Sequence, residues 1–192
     1  ETIGDLAVKT QYGTSKKATE LQIGFPMLRM NNITYNGGWD FSSMKYIDLD
    51  EVEQSKYLVY KGDLLFNRTN SKELVGKTAV YREETPMAYA GYLIKLISKP
   101  DANNEYISAY LNSKHGKVVL LNMAKSIVGM ANINAEELKK IRILIPPIEL
   151  QNQFAEIVQK VETQKQLMQN PLTEMENNYK SRMQRAFKGE LM

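Results

Sequence analysis

The chain of 192 residues contains no cysteine and a single histidine. Without thiols, disulfides, thiolate nucleophiles and cysteine-based metal sites are excluded. One imidazole, His115, cannot supply the paired ligands of the common histidine-containing clusters, and its neighbours Lys114, Gly116 and Lys117 suit a surface or helix-end residue. No run reaches the roughly 18 apolar residues of a membrane span, and no basic-then-apolar segment opens the chain. A cytoplasmic protein with no membrane association is therefore the expectation. It leaves Asn32-Ile33-Thr34 and Asn67-Arg68-Thr69 as chance matches to a glycosylation sequon. Also missing are a Gly-x-Gly strand–turn–helix and a phosphate loop ending in Gly-Lys-Ser/Thr. Neither a cofactor nor a metal is expected in this chain.

Charge of one sign is scarce as well. The net charge is +3, too small to argue for nucleic acid by itself. Its placement is more telling. From Ile148 onward six Lys and Arg balance six Asp and Glu, so the whole excess falls within residues 1–147. Any attraction for phosphate belongs there.

Two regimes meet at Pro146-Pro147. Before it, Leu64-Leu65-Phe66, Thr78 to Tyr81 and Tyr89 to Ile97 read as short strands bounded by Gly62, Gly76 and Pro86. Asn104 to Leu111 and Lys117 to Met123 carry helical spacing, with Gly116 between them. Asn134-Ala135-Glu136-Glu137 has the form of a capping box, and Ile141, Ile143 and Ile145 alternate like a strand. Interleaved strands and helices give an α/β (mixed α+β) globular domain. After the prolines, a helix is expected from near Ile148. Leu150, Phe154, Ile157 and Val161 form a narrow apolar seam, continued after a stutter at Lys165 by Met168, Leu172, Met175, Tyr179, Met183 and Phe187. Pro171 predicts a kink or a short break in it, even two helices. A helix this poor in apolar residues needs a partner surface, its own core or another chain; its polar surround and length favour a protruding, coiled-coil-like helix that binds a partner.

Two enzymatic readings find little support. Pro100-Asp101 and Glu137-Leu138-Lys139 have the letters of a metal-dependent nuclease, but far apart, with Glu137 in a first helical turn where acids serve capping and with Lys139 on a different helix face. Ile145-Pro146-Pro147-Ile148 lacks the preceding amide and the following aromatic ring with which adenine methylases hold their base. By contrast, the β run into Asn67-Arg68-Thr69-Asn70-Ser71-Lys72 ends in a bidentate cation, two amides, two hydroxyls and an ammonium. Arg forks onto guanine or phosphate, Asn pairs with adenine, and Ser or Thr binds phosphate. A solvated turn has the same composition, and the residues alone leave both readings open.

Several segments together resemble the type I restriction–modification specificity subunit: Ile3-Gly4-Asp5, Pro26-Met27-Leu28-Arg29 leading to Asn32-Ile33, Lys45-Tyr46-Ile47-Asp48-Leu49, Gly62 through Ser71, Gly129-Met130-Ala131-Asn132-Ile133-Asn134, Pro146-Pro147 with Gln151-Asn152-Gln153-Phe154, and Arg185 through Leu191. The resemblance implies a target-recognition domain, about 1–147, followed by a helical spacer, about 148–192, for dimerisation and methyltransferase docking. Full-length members carry this unit twice and read a bipartite site. With no internal repeat, and no Met at Glu1, a natural half-subunit and a fragment both stay open.

The implied role is a non-catalytic specificity subunit that holds double-stranded DNA and directs modification (methyltransferase) and restriction subunits. S-adenosylmethionine, ATP and magnesium belong to those partners, and a homodimer through the C-terminal helix follows for a half-subunit. Candidate DNA contacts are Lys16, Lys17, Arg29, Asn31, Asn67, Arg68, Thr69, Asn70, Ser71, Lys72, Lys77, Lys125 and Asn132. Tyr35 and Trp39 suit base stacking or the core, with the core favoured for the tryptophan. The alternatives are a structural or regulatory dimer that does not bind DNA, and the metal-dependent nuclease.

Overall fold

The computed structural model describes residues 1–127 and 130–190, except for the side chains of residues 125–127 and 170. Residues 1–152 form one compact unit and 153–192 a second.

The chain enters through a helical turn, α1 (Ile3–Leu6), whose Thr2–Asp5 capping box satisfies its first amides. It continues through β1 (Ala7–Tyr12), β2 (Phe25–Leu28) and β3 (Lys45–Ile47) to α2 (Glu51–Tyr57), which Asp50 caps. Next come β4 (Leu58–Val59), β5 (Leu64–Asn67), β6 (Thr69–Asn70), β7 (Thr78–Val80), β8 (Met87–Tyr89) and β9 (Leu93–Ser98). The helices α3 (Asn104–Asn112) and α4 (Lys114–Met123), the hairpin β10 (Lys125–Ile127) and β11 (Met130–Asn132), and α5 (Ala135–Lys139) complete the unit. The last element, α6, runs Ile148–Phe187.

An antiparallel sheet of order β1-β9-β5-β7 lies at the centre. β5, β7 and the first four residues of β9 are buried throughout because both faces are covered there, whereas β1 stays partly exposed. Leu64, Phe66, Ile94 and Leu96 face one core with Ile107, Leu111, Leu120 and Leu138 from the helices. Leu65 and Leu93 face another, with Leu28, Val59, Tyr81 and Tyr89. The second sheet, β3-β2-β8-β4, joins β2 to β8 in parallel. The third, β10-β11-β6, carries the polar segment after β5.

Four local expectations need correction. Tyr89 to Ile97 is two strands, because Gly91 and Leu93 turn their amides to the carbonyls of Thr14 and Ala90. The two helices part at Ser113, whose hydroxyl caps α4; Gly116 lies inside α4, where a side chain would meet the Tyr110 carbonyl oxygen at 2.2 Å, so it permits close helix packing. Ile141 and Ile143 are buried as the alternation implies, yet the segment has only the chain start beside it and forms one bridge, Thr2 with Arg142, in place of a strand. Finally, α6 runs through Pro171 as one helix, without the anticipated break. A proline there removes one amide donor, and neighbouring turns carry the helix on.

At about 1.5 Å per residue, the 40 residues of α6 extend roughly 60 Å. Its apolar seam, Leu150, Phe154, Ile157, Val161, Met168, Leu172, Met175, Tyr179, Met183 and Phe187, is exposed throughout. No described helix is long and apolar enough to cross a membrane.

Candidate nucleic-acid interface

The polar segment after β5 alternates between inward and outward residues. Asn67 is fully buried; its side-chain oxygen accepts the Thr69 amide at 3.2 Å and its carbonyl accepts the Gly76 amide at 2.8 Å. Gly76 has φ +83°, a left-handed conformation that only glycine adopts without strain, and it closes the loop Arg68–Val75. Arg68 follows, half-buried. Its guanidinium lies 4.9 Å above the Tyr12 ring centre, one Nη sits 3.5 Å from the Asn132 side-chain oxygen, and Nε is buried with no hydrogen-bond partner among the described residues. Asn132 Nδ2 donates to the Thr69 hydroxyl at 2.8 Å, through the β6–β11 register that sets Asn132 opposite Thr69. Arg68, Thr69 and Asn132 are thus one fixed unit, seated on an aromatic ring whose hydroxyl accepts the Ala135 amide.

The Arg68 side chain borders an open groove of about 580 Å³, shared with Ser15, Lys16, Lys17, Gly91 and Tyr92. The groove joins the basic turn after β1 to the polar segment after β5, some 50 residues apart in the chain. Lys17 is exposed. Lys16 is exposed too, but its ammonium bonds Glu53 at 2.6 Å, and that hydrogen bond raises its pKa. Tyr92 presents its ring at the rim, half exposed.

Other candidates have different surroundings. Arg29 donates to the Ser43 carbonyl at 2.8 Å and ties two loops together. Asn32 is buried and bridges the Arg29 amide to the Asp40 carbonyl, which leaves the exposed Asn31 at the tip of that turn. Asn70 accepts the Ser71 amide, the Ser71 carbonyl anchors the next turn, and Lys72 projects from it, exposed. The side chain of Lys125 and the residue Gly129 lie outside the described residues.

Three expected contacts are corrected. Asn67 has no exposed surface, Lys77 only 6% and Thr69 9%. The Lys77 ammonium is given to the Ile33 carbonyl, and burial lowers its pKa; the Thr69 hydroxyl accepts from Asn132. All three hold the loop from within and present little surface to a duplex. Trp39 is partly buried against the core, donating to the Val80 carbonyl at 2.8 Å and stacking on Phe41. His115 is exposed, and Glu137 closes the capping box of α5 with Asn134. Among the described residues no three His, Asp or Glu side chains stand together as a metal site. Tyr12 and Tyr92 escape a reading of the sequence, because no local pattern says what either ring will face; only the β1–β9 pairing brings Tyr12 level with Ile94 and so beneath Arg68.

The scaffold belongs to a known class. Residues 1–177 match the family model of the type I restriction modification DNA specificity domain, and the chain is a member of that family. It is 30% identical over 189 residues to the type I restriction enzyme EcoKI specificity subunit of Escherichia coli K12, covering 93% of this chain and 40% of that protein. It is 29% identical over 158 residues to a putative type I restriction enzyme specificity subunit, MjaX, of Methanocaldococcus jannaschii, covering 80% and 37%. The chain thus spans about two-fifths of the length of these relatives. The fold matches the HsdS subunit from Thermoanaerobacter tengcongensis (TM-score 0.59, 16% identity, 100% of this chain and 45% of that one). It also matches a chain from a structure describing complex assembly and conformational transition of the type I R-M system (TM-score 0.61, 16% identity, 99% and 45%).

Proposed function

We propose that this chain reads one half of a bipartite DNA site for a type I restriction–modification complex and catalyses nothing itself. The observation that carries the reading is the Arg68–Thr69–Asn132 unit at the edge of a groove shared with Lys16 and Lys17. It joins a rigid bidentate donor, suited to a base edge, with ammonium groups suited to phosphates. Family membership supports the same assignment. Arg68, Asn70 and Asn132 are the candidates for base reading, with the buried Thr69 hydroxyl holding Asn132. Lys16, Lys17, Ser71 and Lys72 contact the backbone, Asn31 meets it from the neighbouring turn, and Arg29 positions that turn.

The exposed seam of α6 is the surface for other polypeptides: modification subunits, and a second copy of this chain in a two-fold arrangement that reads two half-sites. Methyl transfer with S-adenosylmethionine and ATP-dependent restriction with magnesium reside in the partners. Residues 1–147 serve as the recognition domain and 148–192 as spacer and docking helix, in the cytoplasm.

The test is methylome mapping of the host with and without this gene, beside gel-shift assays with and without the partner methyltransferase. Loss of one bipartite adenine-methylation motif on deletion is the expected result. An unchanged methylome, or an assembly indifferent to base order, refutes the proposal.

A further inference from the structure

A second cationic hollow, about 230 Å³ in volume, is lined by Tyr35, Lys72, Glu73, Lys117, Val118 and Leu121 among others. Lys117 is its chief cation. Half-buried on α4, it donates to the Asn112 side-chain oxygen at 3.0 Å and sits 4.9 Å from the Tyr35 ring centre. Among the described residues, neither Lys117, Lys72 nor Lys77 has a carboxylate within ion-pair distance. The one acid at the rim, Glu73, is occupied by hydrogen bonds from its own amide and from Ser71, which lower its pKa. Burial, and secondly the positive charge of Lys77, push Lys117 down to about 8.

The chain therefore holds an under-solvated ammonium next to a second buried cation, with neither neutralised. Burial of unpaired charge is unfavourable, and an anion in the hollow offsets it. The walls say which kind. Val118 and Leu121 are 55% and 41% exposed, apolar surface beside the cations. A free inorganic ion has no use for such surface, whereas the carbons of a sugar pack against it. The turn that supplies Lys72 is also the direct continuation of the Arg68–Asn70 segment.

We infer that the Lys72–Lys117–Tyr35 hollow binds a phosphodiester of the DNA backbone, with the attached deoxyribose against Val118 and Leu121. The inference rests on the DNA-recognition reading and adds a contact separate from the Arg68 groove, on a helix that no sequence motif marks. The site carries no base information; it fixes the duplex in register.

The experiment measures duplex affinity of the full chain, assembled with its methyltransferase partner, over a salt series for wild type, Lys117→Met and Lys117→Arg. Lys117→Met should weaken binding several-fold for every duplex alike and lower the slope of log K against log salt by about one; Lys117→Arg should keep the slope. In parallel, NMR follows the Lys117 ammonium with duplex or with inorganic phosphate, and its pKa should rise with duplex. An unchanged affinity and slope in Lys117→Met, with wild type binding DNA, overturns the site and leaves the broader reading standing. A rise with inorganic phosphate but none with duplex overturns it in favour of a free-anion site. Wild type that binds no DNA in the assembly overturns both.

Discussion

The Arg68 guanidinium rests 4.9 Å above the ring of Tyr12, joining the end of the first strand to the loop after the fifth. A cation on an aromatic face gains about 0.5–2 kcal/mol depending on exposure, and the stacking also fixes the plane of the fork. Orientation is what a bidentate base contact needs. Arg68→Ala should cost about 1–3 kcal/mol of binding to the preferred site and relax discrimination there. Tyr12→Leu should give a smaller loss of the same character, because the fork survives without its seat. Competition binding between the preferred duplex and single-base variants checks both; equal losses on all sequences would contradict base reading by Arg68.

Lys17 makes the contrasting case. It is exposed at the groove, and a phosphate contact there is blind to sequence. Lys17→Ala should weaken all duplexes by one factor and take about one unit from the salt slope. Lys16→Ala should do less, since its ammonium is already committed to Glu53.

Arg82 and Glu105 form a two-pronged ion pair, at 2.8 and 2.6 Å, with the carboxylate buried. Arg82→Ala strands that charge and should destabilise the chain by about 3 kcal/mol, read as a lower urea midpoint. Surface substitutions such as Lys17→Ala should stay within about 0.5 kcal/mol.

Stability should depend on pH in a way set by Lys117 and two tyrosines. The Lys117 pKa is about 8 in the folded chain against 10.5 ordinarily, so between those values the unfolded chain binds more protons and stability rises with pH. Burial of Lys77 adds in the same direction. Tyr81 acts oppositely. Burial raises its pKa from 10.0 to about 12 and raises that of Tyr89 as well, so above pH 10 ionisation favours the unfolded chain. Denaturation midpoints should therefore climb from pH 8 to about 10 and then fall. Lys117→Met, which leaves Lys72, Lys77 and Glu73 in place, should flatten the climb and keep the fall.

The double substitution Ile157→Asp with Leu172→Asp alters only exposed positions of α6. Far-ultraviolet circular dichroism should be retained, while self-association in the ultracentrifuge and co-purification with the methyltransferase are lost. Retention of both associations would place the partner surface elsewhere.

The elements with strong local chemistry were legible in the sequence. Asn134 and Glu137 announce a capping box because both halves are local, and Pro146-Pro147 announces a helix at Ile148 because proline favours a first turn. What depends on distant neighbours was not. Ile141 and Ile143 alternate, but whether alternation becomes a strand depends on a second backbone alongside, and only the chain start is there. Asn67 and Arg68 look alike as polar loop residues, and only the Gly76 and Tyr92 backbone contacts send one inward and hold the other at the groove. Nothing local tells Tyr12 or Lys117 from its neighbours, and the fold, not their own surroundings in the chain, gives them company.

The pairing of β6 with β11, Thr69 opposite Asn132 and Asn70 opposite Ala131, has a consequence for how such a reader changes its target. Neighbouring residues there point to opposite sides, so the segment tolerates exchange of an outward side chain but not a change of length. One residue inserted between Asn67 and Arg68, with β5 and β6 held by their partner strands, would turn the guanidinium away from Tyr12 and Asn132. New preferences can arise by substitution on a fixed frame, while a frameless loop of the same composition would lose its grammar with each insertion.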